Sequence, residues 1–257
     1  MTDTVFDPTL LLWPFAAGIL VLATHIPLGR RVLQRGIVFL DLAVAQIAGL
    51  GVILAHTLGW AAGWQVQATA FAAAGAGAIL LAACDRRWPA RQEALIGSTF
   101  VVAASLATLL IAHDPHGGDA LHGLLVGQIL WITGDDFLVA LAITVLIGLL
   151  WRPLIARANA SPLGFYVLFA LAITVSVQLV GIYLVFASLI LPALASLAHT
   201  HRWLLRAWLA GATGYLGGLG LSLLTDWPTG PSIVVALAVT AATVGFGSRL
   251  DARRQQD

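Results

Sequence analysis

Two side chains interrupt the apolar stretch GIVFLDLAVAQIAGLGVIL (residues 36–54): Asp41 and, five positions on, Gln46. An ionised carboxylate at lipid depth costs at least about 2.5 kcal/mol on insertion scales, so acids in such stretches usually face the bundle interior and mark an ion or proton pathway. Asp41 follows Arg35 by six residues, which places it about 9 Å into the membrane at ~1.5 Å per residue. His25 precedes Arg30 by five residues and reaches a similar depth on the preceding helix, from which it can face Asp41. A purely structural Asp41, bonded to a neighbouring helix or paired with Arg35, is the competing account. A second set of donors lies in HDPHGGDALH, where His113, His116 and His122 stand among Asp114 and Asp119. That segment is either a metal-collecting stretch or a solvated loop.

These side chains need a scaffold, and composition identifies its solvent. Of 257 residues, 60% are hydrophobic and 10% charged, and the apolar runs repeatedly approach the roughly 20 residues that an α-helix needs to cross a bilayer. The expected fold is all-α: a polytopic membrane helical bundle, read as a single transmembrane domain over residues 1–257. The lone cysteine, Cys84, excludes a disulfide framework within one chain and a Cys-based metal cluster.

Lysine is absent, so all thirteen positive side chains are arginines, clustered at 30/31/35, 86/87/91, 152/157, 202/206 and 249/253/254. Such clusters mark cytoplasmic loops. If all lie on one side, each interval between them holds an even number of crossings. Two apolar runs fit between Gly36 and Asp85. Two more fit in the uncharged interval 158–201, with a tight turn near residues 178–181, and two between Arg206 and Arg249, separated by TDWPTGPS. The interval 92–151 holds three runs, at 95–112, 121–132 and 137–151. The middle one, at 12 residues, is too short to span and is assigned as a re-entrant or interfacial segment. With residues 10–28 as a retained first helix, the expectation is about nine crossings plus one short element, N-terminus outside and C-terminus inside. Asp3, Asp7, Asp114, Asp119, Asp135, Asp136 and Asp226 then fall on the outer side.

Five stretches in order, QRGIVFLDLAVAQIAGLG, EALIGSTFVVAASLATLLI, LLVGQILWIT, LVGIYLVFASLILPALAS and DWPTGPSIVVALA, resemble the metal-type permeases of ABC importers, the zinc, manganese and iron uptake family. In that family the second helix carries Gly-Asp with a histidine four residues after the acid, both associated with the metal pathway. The resemblance maps the acid onto Asp41. Leu40 replaces the glycine and Ala45 the histidine. Gln46 lies about 140° around the helix from Asp41, a poor direct substitute, so His25 is the candidate for the missing nitrogen. Relatives also carry a longer cytoplasmic stretch that docks on the ATPase. Here WRPLIARANASP remains, with Arg152, Arg157 and Ser161 as the docking candidates.

The resemblance implies a non-enzymatic transport subunit of the bacterial cytoplasmic (inner) membrane, forming half of a homodimeric pathway. Its cargo would be a divalent metal, zinc first, with manganese and iron as alternatives. Its partners would be ABC ATPase subunits, an external metal-binding protein, a second permease chain and membrane lipid, with no nucleic acid and no resident cofactor. A P-loop requires lysine, so ATP hydrolysis falls to the partner. Two other readings use the same scaffold: a permease for a metal chelate such as a siderophore or cobalamin, and an ion-coupled secondary transporter, which would show internal repeats.

Overall fold

A helix with apolar residues on every side has to be buried all round, and the segment PLGFYVLFALAITVSVQLV forms one, α7 (Pro162–Val180). Most of its residues are inaccessible. The computed structural model describes residues 9–60, 62–114, 117–156, 162–197 and 202–254. The other helices are α1 (Thr9–Arg35), α2 (Leu40–Thr57), α3 (Gly63–Arg87), α4 (Gln92–Leu110), α5 (Gly117–Val126), α6 (Gly134–Trp151), α8 (Ile182–Ser196), α9 (Trp203–Thr225) and α10 (Thr229–Arg254). No strand occurs among the described residues.

The protein is a polytopic helical bundle. α7 packs on α3, α6 and α2, while α8 packs on α10, α1 and α9. α2 is likewise mostly buried, whereas α4 and α6 expose apolar side chains such as Leu106, Leu109, Leu138 and Leu149. That inversion of a water-soluble surface is what lipid requires, since hydrocarbon is as apolar as leucine. Small residues let backbones approach: a Cβ on Gly51 would meet Thr69 and Ala70 of α3, and one on Gly218 would meet Ile233 of α10.

Among the described residues, seven helices are long and apolar enough to cross a membrane. α8, with 15 residues, and the apolar part of α10, Thr229–Gly245, are shorter than the full spans expected of them. The short element between α4 and α6 is present, but its helix covers Gly117–Val126 rather than residues 121–132. Gly127 takes a φ of +76° and ends it, and a 3-10 turn follows at Ile129–Trp131. At ten residues, α5 is about 15 Å long, half a bilayer core. The expected turn between α7 and α8 is one residue, Gly181, at φ 80° and ψ 162°.

Arg30, Arg31 and Arg35 were expected in a loop, but α1 continues seven residues beyond Leu28 and carries all three. Val32 is fully buried, which favours the extra turns, and the arginine stems lie along apolar surface. Arg30 lies 4.3 Å from the ring centroid of Trp203 on α9, Arg31 lies 5.7 Å from that of Trp151 on α6, and Arg35 lies 4.4 Å from that of Phe165 on α7. The backbone N–H of Phe39, just before α2, donates to Glu93 of α4 at 3.3 Å, and the Gln92 amide donates to the Tyr166 hydroxyl of α7. The arginine-bearing ends of α1, α3–α4, α6–α7 and α9 therefore gather at one end of the bundle.

The opposite end is made of glycine and acid. A Cβ on Gly127 would run into the backbone of Val180 and Gly181, a Cβ on Gly181 into that of Val126 and Gly127, and one on Gly230 into the carbonyl of Val126. The tip of α5 thus touches the α7–α8 joint and the start of α10, with no side chain between them. Asp135, Asp136 and Asp226 line cavities at this end.

Candidate functional site

Asp41 stands in the first turn of α2, where the helix dipole presents its positive end to the carboxylate. It is completely buried, and neither Oδ1 nor Oδ2 has a hydrogen-bond partner among the described residues. The alternative structural account, a carboxylate tied to a neighbouring helix or to Arg35, would require such a partner. A buried anion left without donors is strongly disfavoured unless a cation or a proton reaches it. In its chemistry Asp41 is a hard oxygen ligand.

His25 is also completely buried. Its Nδ1 is 3.0 Å from the Thr24 hydroxyl, which in turn donates to the Val21 carbonyl at 3.1 Å, while Nε2 has no partner. Thr24 thus fixes one side of the ring and leaves the other nitrogen as a donor or acceptor for something else. His25 and Asp41 are not hydrogen-bonded to each other. α1 packs chiefly on α8, α9 and α6, and α2 on α3, α4 and α7, so α7 and α8 are the neighbours the two helices share. The structure buries both ligand candidates at the arginine-side ends of their helices but does not join them in one closed site.

Gln46 is nearly buried on α2. Ala45, four residues after Asp41 and so on its face, is fully inaccessible; the face that carries Asp41 has a methyl group where a nitrogen donor would be needed. Of the outer histidines, His122 lies on α5 rather than in a loop, His113 lies in the turn before it, and His116 falls outside the described residues. Among the described residues no group of three or more His, Cys, Asp or Glu side chains is placed to hold a metal ion. The docking candidates Arg157 and Ser161 also lie outside the described residues. Arg152 opens a π-helical turn, Arg152–Ala156, that continues α6.

Sequence reading passed over a polar lining at the acidic end. Gln67 of α3 and Gln178 of α7 carry amide atoms, Oε1 and Nε2 respectively, that are buried without partners. With Gln128, Asp135 and Asp136 they line a cavity of about 740 Å3. Asp136 is occupied locally, accepting from the backbone N–H and hydroxyl of Thr133 at 3.1 and 2.6 Å in the cap of α6. The signal was available: Gln67 and Gln178 are uncharged polar residues inside otherwise apolar runs, the same irregularity that exposed Asp41.

The comparisons with known proteins agree with this architecture. The model of the ABC 3 transport family matches residues 8–246. The manganese transport system membrane protein MntC of Halalkalibacterium halodurans is 27% identical over 241 residues, covering 86% of this chain and 81% of that protein. The chelated iron transport system membrane protein YfeC of Yersinia pestis is 26% identical over 177 residues, 62% of this chain and 51% of that one. Among solved structures, PsaBC from Streptococcus pneumoniae in complex with Fab aligns with a TM-score of 0.74 over 94% of this chain and 93% of the matched chain, at 22% identity. That likeness establishes the fold.

Proposed function

Because the chain belongs to the ABC 3 transport family, we propose that it is the membrane subunit of an ATP-driven importer of a divalent first-row metal ion, and that Asp41 supplies an oxygen ligand along its path. The observation that carries this reading is a fully buried carboxylate with both oxygens free of protein donors, at the position where the resembled permeases carry their second-helix acid. Transport needs a ligand that holds the ion weakly enough to release it, and one unaided carboxylate meets that condition better than a closed cage.

The donor set narrows the cargo. The neighbouring positions on its helix face, Val44, Ala45 and Ala48, offer Asp41 no cysteine or histidine, and a site led by a carboxylate suits manganese better than zinc. A relative named for manganese supports the same order, with iron next and zinc third. A second reading, passage of a metal chelate, draws support from the name of the Yersinia relative. A chelate supplies its own ligands and has no use for a bare buried acid, so the free ion is favoured.

The arginine end is the cytoplasmic face in this reading, by the excess of positive charge there, and receives the ATPase subunits. The chain has no lysine and therefore no P-loop of its own. The acidic end faces the external binding protein, and two permease chains form the pathway between them. The test is uptake of radioactive manganese by cells carrying the complete transporter. Asp41→Ala is expected to abolish uptake and metal-stimulated ATP hydrolysis while the complex still assembles. Uptake at the wild-type rate would remove Asp41 from the pathway.

A further inference from the structure

α6 and α9 both pack on α1 and leave between them a crevice of about 800 Å3. On α1 its lining extends from Ala23 to Gln34, about 17 Å at ~1.5 Å per residue. The lining changes character along that length. At the arginine end it carries Arg30, Arg31 and Arg152 beside Trp151 and Trp203; farther in it carries Ile147 and Trp208, and among the described residues no acidic side chain lines it. Nη1 of Arg30 is buried without a hydrogen-bond partner among the described residues. Three guanidinium groups, one holding an unmatched buried N–H, make a receptor for a phosphate group, the anion their planar donors fit best.

We propose that this crevice binds one anionic phospholipid of the surrounding membrane, its phosphate among Arg30, Arg31 and Arg152 and an acyl chain along Ile147 and Trp208. A soluble phosphate would use the guanidinium groups but not the apolar length beyond them. A lipid uses both. Tryptophan at a membrane interface suits the boundary between headgroup and chain, and basic pockets between transmembrane helices are recognised headgroup sites. The occupant would tie α1, which carries His25, to α6 and α9 at the end where α6 and α9 are separated by the crevice.

The test is native mass spectrometry of the complete, delipidated transporter, titrated separately with phosphatidylglycerol, with phosphatidylethanolamine of the same chains, and with inorganic phosphate. Phosphatidylglycerol is expected to bind once per permease chain and in clear preference to phosphatidylethanolamine, and millimolar phosphate is expected not to displace it. An arginine near an anionic headgroup contributes about fivefold, so Arg30→Gln with Arg31→Gln should weaken phosphatidylglycerol roughly 25-fold. Arg35→Gln, whose guanidinium lies on Phe165 outside the crevice, should leave it within about twofold. Should the double variant not fold, Arg152→Gln and the preference of the unaltered protein between the two lipids decide. Equal binding of both lipids, an unaffected double variant, or displacement by phosphate alone would overturn the proposal. So would quantitative crosslinking of a Leu204→Cys variant to the second permease chain in a bilayer, because the crevice would then be covered by protein.

Discussion

At one end of the bundle long arginine side chains lie over aromatic rings; at the other, glycine backbones touch with no side chain between them. The first arrangement is adjustable. A guanidinium 4.3 to 5.7 Å from a ring centroid sits on a stem with several rotatable bonds and can follow a moving ring. The second arrangement has no such slack, because the atoms in contact at Gly127, Gly181 and Gly230 belong to the main chain. One end can change partners while the helices move; the other fixes where they meet.

That contrast can be broken most forcefully at the glycines. Gly181→Ala and Gly127→Ala each force a Cβ into opposing backbone and a positive φ on a residue with a side chain, which should cost about 3 kcal/mol. Thermal unfolding followed by size-exclusion chromatography in detergent would show it as an early loss of the monodisperse peak. Stability equal to the unaltered protein would show that the two ends are alike. At the arginine end the largest single loss should come from Tyr166→Phe, which strips the Gln92 amide of its acceptor and costs about 1 kcal/mol. Arg35→Gln should cost least, about 0.5 kcal/mol, since it removes one exposed cation–π contact. The same unfolding assay ranks all four, and an order that places Arg35 above the glycines would reverse the comparison.

Periodicity and length made the helices legible, because a membrane leaves the backbone few alternatives. Each apolar run read in the sequence corresponds to a helix, and the joint at Gly181 lies within the four residues expected for it. Helix ends were less legible. Arginine was read as a loop marker, yet α1 carries three arginines because Leu28 and Val32 are buried and the rings of Trp203, Trp151 and Phe165 lie within reach. No local pattern in the sequence announces those rings. The start of α5 was missed for a local reason: GGDAL reads as a turn, yet Gly117 already opens the helix, close against Ile111 six residues before it.

Asp41 was legible as a candidate because an acid in an apolar run has few explanations, and the structure shows it buried, as that reading required. Its partner was not. Equal depth along two helices says nothing about which helices are neighbours, and α1 and α2 turn out to share α7 and α8 rather than a broad face of their own. Gln67 and Gln178 show the opposite error. Uncharged amides carry no Born cost to draw attention to them, so a polar cavity wall went unnoticed in plain letters.

The single residue between α7 and α8 has a mechanical corollary. A longer linker would let one helix slide while the other stood still; a lone glycine offers two torsions and no spare chain. Any push delivered to the foot of α7, beside the stretch 157–161 that leads into it, has to re-emerge in α8 as a swivel about a fixed pivot. The pair has the geometry of a crank, with the tip of α5 set against its pivot.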